Sequence, residues 1–375
     1  MLYKDIVGQT EAKQRLLKMV NEDRVPHALL FSGREGCGNL PAALAMAQHL
    51  FCTARRADGA CNTCPSCQKV AKLVHPDLHL VFPYVKSKEK RIHTSEDVLP
   101  DFRETFLLNP YMSLQDWFGE IDAENKQPII PVEESSIILR KLSYTSYEGS
   151  YKMVVIWQPE KMNPEASNRL LKILEEPPEK TIFILVSNAP DQLLSTIVSR
   201  VQQIPFYQCS DAEIAKALMQ YHQVNETVAN QTALLANGNY GEALKLIREH
   251  DEQVSLLNDF QQFMRLALRF DGVKALDWID AAAARGRESQ KQFLQFGLEI
   301  FRDCLMYNYG EKSLVRLGGA EKLFLEKFAP FVNGKNYQAL VEEFNNNYYY
   351  IERNAYPKLL FMDLLLKTNG YLNAK

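Results

Sequence analysis

Four of the seven cysteines fall in one short stretch, Cys52-x8-Cys61-x2-Cys64-x2-Cys67. Thiolates at that spacing can close on one Zn²⁺ with Zn–S distances of about 2.3 Å, and a four-sulfur shell leaves no open position for catalysis. The site is therefore expected to be structural. Reduced free thiols are the competing reading, but three cysteines at two-residue intervals have little packing rationale. His75 and His79 follow closely; His75-Pro76-Asp77 reads as a turn, and a further ligand would be redundant. Cys37, Cys209 and Cys304 are isolated, which suits small core residues.

A second constellation could handle phosphate. Gly33-Arg34-Glu35-Gly36-Cys37-Gly38-Asn39-Leu40 follows an apolar run and precedes a helical pattern, the context in which a P-loop works. That motif, G-x-x-x-x-G-K-[ST], wraps phosphates in backbone amides, neutralises them with Lys and holds Mg²⁺ with the hydroxyl. The two motif glycines survive as Gly33 and Gly38, with Gly36 between them, but Asn39 stands in place of Lys and Leu40 in place of Ser or Thr. Without the cation and the metal ligand, most of the electrostatic stabilisation that phosphoryl transfer needs is gone. Taken alone, the octapeptide reads better as a chance glycine turn. An ATPase strand should also end in an acidic pair, yet Val154-Val155-Ile156 runs into Trp157-Gln158. The nearest carboxylate, Glu160, is set off by Pro159. No productive ATP binding is expected from such a loop.

The elements that hold these residues alternate between strand and helix. Ala28–Ser32, Met153–Trp157 and Thr181–Val186 are short apolar runs suited to buried parallel strands. Glu11–Val20 and Leu40–Leu50 read as helices; a third starts at Asn163-Pro164 and stops before Pro177-Pro178. Such alternation implies a parallel sheet with helices on both faces. From about Pro83 to Pro131 the rhythm breaks into an insertion with a charged run (Lys86, Lys88, Glu89, Lys90, Arg91) that reads as a solvated loop. After about Tyr207 the pattern is helical throughout. The expected class is α/β plus all-α: an α/β domain over 1–208 with the cysteine module at about 52–67 and the insertion at about 83–131, a small helical lid over 209–250, and a helical domain over 251–375.

Those three parts carry 24 basic and 25 acidic, 3 and 5, and 16 and 16 side chains, summing to 43 against 46. No part is basic on its own, which argues against a protein that grips nucleic acid alone. The first residues show no apolar h-region and no apolar run approaches about 18 residues, so a cytoplasmic protein without a membrane partner is expected.

Several ordered motifs now resemble one family. Asp5-Ile6-Val7-Gly8-Gln9, His27-Ala28-Leu29-Leu30-Phe31-Ser32-Gly33, the four cysteines, Asn168-Arg169-Leu170-Leu171-Lys172-Ile173-Leu174-Glu175-Glu176-Pro177-Pro178 and Ser199-Arg200 resemble bacterial clamp-loader subunits, the AAA+ proteins of the DNA polymerase III holoenzyme. The likeness spans residues 1 to about 208. A weaker one, Ile351-Glu352-Arg353-Asn354-Ala355 with Pro357-Lys358-Leu359, reaches the family's collar. Gamma/tau subunits keep the P-loop Lys and the acidic pair, whereas delta-prime subunits typically lose them, and this sequence resembles the latter. Gly238–Leu244 looks like the family's sensor-2 helix, with Gly241 where a phosphate-contacting Arg would be expected.

The resemblance implies a non-hydrolysing stator subunit that helps load the sliding clamp onto primed DNA for replication. It implies a hetero-oligomer with gamma/tau and delta subunits, contact with the sliding clamp and primer-template DNA within it, and a structural zinc on Cys52, Cys61, Cys64 and Cys67. It also implies that Arg200, beside Ser199, enters a neighbouring subunit's ATP site as an arginine finger. The family's Ser-Arg-Cys is Ser199-Arg200-Val201 here, and an isolated Ser-Arg pair would read as a surface salt bridge. Two rivals stand beside this reading: an active gamma/tau-type ATPase with a non-standard P-loop, and an autonomous zinc-dependent DNA binder.

Overall fold

The computed structural model describes every residue except 88, 90, 122, 124, 125, 149, 311–318, 374 and 375, so Lys88 and Lys90 of the charged run lie outside the described residues. Among the described residues five strands, β1 (Ala28–Ser32), β2 (Leu78–Val81), β3 (Lys152–Trp157), β4 (Thr181–Ser187) and β5 (Gln202–Pro205), pair in parallel in the order β2-β3-β4-β1-β5. The two-residue period of a strand sorts its side chains onto two faces. Leu29, Phe31, Met153, Val155, Trp157, Ile182, Ile184 and Val186 face one apolar cluster. Ala28, Leu30, Val154, Ile156, Phe183 and Leu185 face the other. With helices on both sides, these strands are apolar at consecutive positions, as expected for a covered parallel sheet.

Helices α1 (Thr10–Asn21), α2 (Asn39–Phe51), α3 (Pro65–Ala71), α4 (Leu99–Leu108), α5 (Leu114–Glu120), α6 (Val132–Leu142), α7 (Pro164–Glu175) and α8 (Ser195–Val198) interleave with the strands. The first cluster takes Leu16 and Val20 from α1, most of α2, Phe102 and Phe106 from α4, and Trp117 from α5. The second takes Ile138, Leu142, Leu170, Ile173, Leu174 and Ile197 from α6, α7 and α8. Asn163 caps α7 by accepting from the Ala166 amide at 2.8 Å, with Pro164 at the first helical position. This is the start that the sequence predicts.

Beyond its charged run, the insertion carries two helices. Helices α4 and α5 close over Phe82, which stacks on Phe102 with centroids 4.0 Å apart, and Trp117 meets both rings edge-on. The Trp117 indole donates to the Pro83 carbonyl at 2.7 Å. The aromatic positions of this segment outweigh its polar stretches because three large rings can be buried together.

The chain divides into two compact units, Met1–Ile247 and Arg248–Lys375. In the first, α9 (Asp211–His222), α10 (Glu226–Ala236) and the opening turns of α11 (Tyr240–Leu268) form a separate apolar cluster around Ile214, Leu218, Ala233 and Tyr240, which also takes in Val7 and Tyr111. In the second, α12 (Gly272–Ala283), α13 (Arg287–Tyr309), α14 (Gly319–Phe328), α15 (Tyr337–Glu352) and α16 (Pro357–Asn373) surround Phe260, Phe263, Phe293, Phe301, Phe344 and Phe361. Among three consecutive tyrosines of α15, Tyr348 packs against this core, while Tyr349 and Tyr350 are half exposed. No helix among the described residues is long and apolar enough to cross a membrane.

Candidate functional site

The loop 33–40 lies where β1 runs into α2. Gly36 and Gly38 have φ of +72° and +93°, a left-handed backbone that favours glycine, and Gly38 is the N-cap of α2. A helix N-terminus behind such a turn usually leaves amides free for an anion. Here several are already paired. The Gly33 amide donates to the Ser187 carbonyl at 3.1 Å, the Cys37 amide to Arg34 at 3.3 Å, and the Leu40 amide to the Oδ1 of Asn39 at 2.9 Å.

Asn39 itself is turned into the fold. It is 4% exposed, and its Nδ2 donates to Asn188 Oδ1 at 3.0 Å and to the Ser187 carbonyl at 3.4 Å. Leu40 is buried in the cluster on the α2 face of the sheet. Asn39, at the Lys position, therefore ties α2 to the end of β4, while Leu40, at the Ser/Thr position, is a core residue. Cys37, wholly buried beneath the loop, has its thiol pushed up to about 12 by that burial, so it is an inert core residue. The same holds for Cys209 and Cys304, whose thiols burial raises to about 11 and about 12.

The positions that should be acidic are also spent on packing. Trp157 is 2% exposed and meets Phe102 of the insertion at 5.7 Å. Gln158 is buried with a left-handed φ of 58°, and its amide donates to the Val186 carbonyl at 2.8 Å. Glu160 does not replace them: its Oε1 accepts from the Asn188 and Ala189 amides at 3.1 and 3.2 Å, fixing the turn after β4. On the α11 side, Asn239 caps the helix through Glu242 at 2.9 Å and reaches over Gly36. A Cβ built on Gly241 would stand 2.4 Å from the Tyr111 carbonyl, so an arginine there is excluded by the backbone.

Arg200 and Ser199 follow α8 at the surface. The guanidinium pairs with Glu175 Oε1 at 2.7 Å and donates to the Thr196 carbonyl at 2.9 Å and to Ser199 Oγ at 3.4 Å. None of these partners belongs to the loop 33–40. Arg200 and Glu175 are 37% and 48% exposed, and an ion pair so open to water is worth about 0–1 kcal/mol. The guanidinium can leave it at little cost for a stronger anion.

The four cysteines converge. Their sulfurs all lie within 4.8 Å of one another, and Cys61 Sγ is 3.9 Å from Cys67 Sγ. A tetrahedron with metal–sulfur bonds of about 2.3 Å has edges of about 3.8 Å, so the set fits a Zn²⁺-sized ion. Cys52 follows α2 directly and Cys64 caps α3, which puts one ligand at each end of the module. Backbone amides point at the sulfurs: Cys61 to Cys52 at 3.3 Å, Cys64 to Cys61 at 3.4 Å, and Cys67 to Cys64 at 3.5 Å. Hydrogen bonds from the Thr63 hydroxyl and amide, then the Cys64 amide, pull the Cys61 thiol down to about 5, which favours the thiolate a metal needs.

His75 stays outside this shell. It is buried, stacked on Phe51 at 4.3 Å, with Nε2 2.9 Å from Ser66 Oγ and Nδ1 accepting from the Asp77 amide at 3.2 Å. His79 lines a cleft of about 420 Å³ beside β2 that shares no residue with the P-loop.

Sequence reasoning missed Asn188 and Tyr111. Asn188 sits at the carboxyl end of β4, where side chains of a parallel sheet face a ligand crevice, so its place was a usable signal. Tyr111 lies in the irregular stretch between α4 and α5, where no periodicity marks it.

A sequence profile of the family described as DNA polymerase III, delta subunit matches residues 8–210, more than half of the 375. The chain is 30% identical over 245 residues to DNA polymerase III subunit delta' of Bacillus subtilis (strain 168), covering 64% of this chain and 61% of that protein. It is 31% identical over 177 residues to the delta' subunit of Pseudomonas aeruginosa, covering 47% and 42%. To DNA polymerase III subunit tau of Bacillus subtilis it is 26% identical over 328 residues, covering 81% and 50%. The chain thus spans less than two thirds of the length of each of these relatives.

Proposed function

This chain belongs to the DNA polymerase III delta subunit family, and from that membership we propose that it serves as the non-hydrolysing, delta-prime-type subunit of a replicative clamp loader. In this role it is a stator against which ATP-driven gamma/tau subunits, together with delta, open the sliding clamp and place it on primer-template DNA. The observation that carries the reading is the use of Asn39 and Trp157. Each stands where ATP chemistry needs a charge, and each is built into the protein's interior.

Arg200 is the group that acts, and it acts on a neighbour. Its exposed pair with Glu175 is weak, whereas a cation at a γ-phosphate can raise a hydrolysis rate on the order of 10³ to 10⁵. Ser199, whose Oγ donates to the Thr196 carbonyl at 3.1 Å, holds the turn that presents the arginine. Gly33, Gly36, Gly38, Asn39 and Leu40 form the remnant of a P-loop and serve as a joint between α2 and β4. Cys52, Cys61, Cys64 and Cys67 hold a structural Zn²⁺ that cross-links α2 to α3. In domain terms, residues 1–208 are the AAA+ sheet domain, 209–250 the lid and 251–375 the collar through which the subunits assemble.

The likeness to tau favours one alternative, an active gamma/tau-type motor with an unusual P-loop. The two separate in a simple assay. The purified chain should co-purify with gamma/tau- and delta-type subunits and hydrolyse no ATP alone; turnover by the isolated chain that Asn39→Ala abolishes would overturn the stator reading.

A further inference from the structure

We propose that Tyr111, carried by the insertion between β2 and β3, is an internal ligand of the degenerate P-loop site: it fills the space over Gly38 and fastens α9–α11 to the sheet. The proposal rests on the reading above of a site that works without nucleotide, and it gives the insertion a task.

Tyr111 touches three sides of the site. Its hydroxyl accepts from the Val7 amide at 2.9 Å, on the segment that leads into α1. Its ring edge lies 3.2 Å from where a Cβ on Gly38 would stand, so the P-loop backbone is in close contact with the ring. The same ring meets Tyr240, the first residue of α11, edge-on at 4.8 Å, and its carbonyl abuts Gly241. The residue is 6% exposed. A nucleotide laid along this P-loop would need the room between Gly38 and the start of α11, which the tyrosine occupies.

The insertion presents Tyr111 on a firm base. The Tyr111 amide donates to Asn109 Oδ1 and the Met112 amide to the Asn109 carbonyl, both at 3.0 Å, which sets the turn between α4 and α5. Helix α4 is pinned by the Phe82–Phe102 stack and α5 by Trp117. Phe102 in turn rests on Trp157, so the missing acidic position is part of the footing. In a nucleotide-dependent protein the bound ligand can join such a lid to its sheet. Here a side chain of the chain itself makes the joint, and makes it permanently.

Hydrogen exchange on the full, zinc-loaded chain tests this. Tyr111→Ala should raise amide exchange in residues 211–236 and in the loop 33–40 by at least about tenfold, with α7 and α13 unchanged, because local opening reports the loss of local contacts. Tyr111→Phe keeps the ring and removes one hydrogen bond, and should raise the same amides about fivefold. Gly241→Ala pushes on the Tyr111 carbonyl from the other side and should move the same set. Unchanged exchange over 211–236 in folded Tyr111→Ala overturns the proposal, as does an equal rise in α7 and α13, the mark of general destabilisation. Should Tyr111→Ala not fold, unchanged exchange in both other variants overturns it. Failure to join loader subunits would overturn the proposed function and leave these exchange rates as they are, so the two failures are told apart.

Discussion

His49 on α2 is fully buried, and neither ring nitrogen has a hydrogen-bond partner. The Tyr3 ring meets it edge-on at 5.8 Å, and the Tyr3 hydroxyl is likewise unpartnered. Burial, then the Arg55 charge, hold the imidazole at about 4 against an ordinary 6.5, with Asp58 opposing. A histidine depressed on folding takes up its proton more readily in the unfolded chain. Its contribution to stability is therefore complete above pH 6.5 and is lost as pH falls from there towards 4. At pH 5.5 the unfolded imidazole is about nine-tenths protonated while the folded one is neutral, a difference on the order of 1 kcal/mol; at pH 7.5 it is close to nil. Urea unfolding of wild type and His49→Phe at these two pH values isolates the group, because carboxylates and zinc thiolates are common to both proteins. Wild type should lose on the order of 1 kcal/mol more than the variant on going to pH 5.5. A loss equal in both within about 0.4 kcal/mol, the usual error of such differences, would refute the assignment of a buried neutral imidazole.

Other outcomes follow from the two sites. Metal analysis should return about one Zn per chain, and Cys61→Ser, which removes one of the four sulfurs, should abolish that stoichiometry; protein prepared without chelator and free of zinc would contradict the module. Asn39→Lys combined with Leu40→Thr restores the P-loop letters but should give no measurable phosphate release, since the restored side chains replace buried contacts at the end of β4. Trp157→Asp should lower stability by about 3 kcal/mol or more in chemical denaturation, because it empties an aromatic site and buries a carboxylate.

Much of the sheet domain was legible in advance for one reason: strands covered on both faces must be apolar at consecutive positions. That marked β1, β3 and β4. It failed for β2, which carries His79 in a four-residue edge strand, and for β5, where Ile204 is the one fully buried residue of Gln202–Pro205. The cysteine cluster was legible because metal ligands need fixed spacing. Asn39 and Trp157 read in the sequence as departures from the expected motifs, and the structure adds what these side chains do, a hydrogen-bonded joint and an aromatic footing. Tyr111 could not be foreseen, because its partners Val7, Gly38 and Tyr240 lie far from it in sequence and no period links them. Arg200 stays the least determined by local physics: within one chain its visible partner is Glu175, and the anion proposed for it belongs to a neighbour.

That neighbour provides the most direct test. ATP hydrolysis by a loader reconstituted from this chain with gamma/tau- and delta-type subunits, in the presence of clamp and primed DNA, should fall on the order of 10³-fold at the affected site when Arg200 becomes Ala, while the chain's own stability changes by no more than about 1 kcal/mol. An unchanged hydrolysis rate in a fully assembled Arg200→Ala complex would contradict the proposed role in trans.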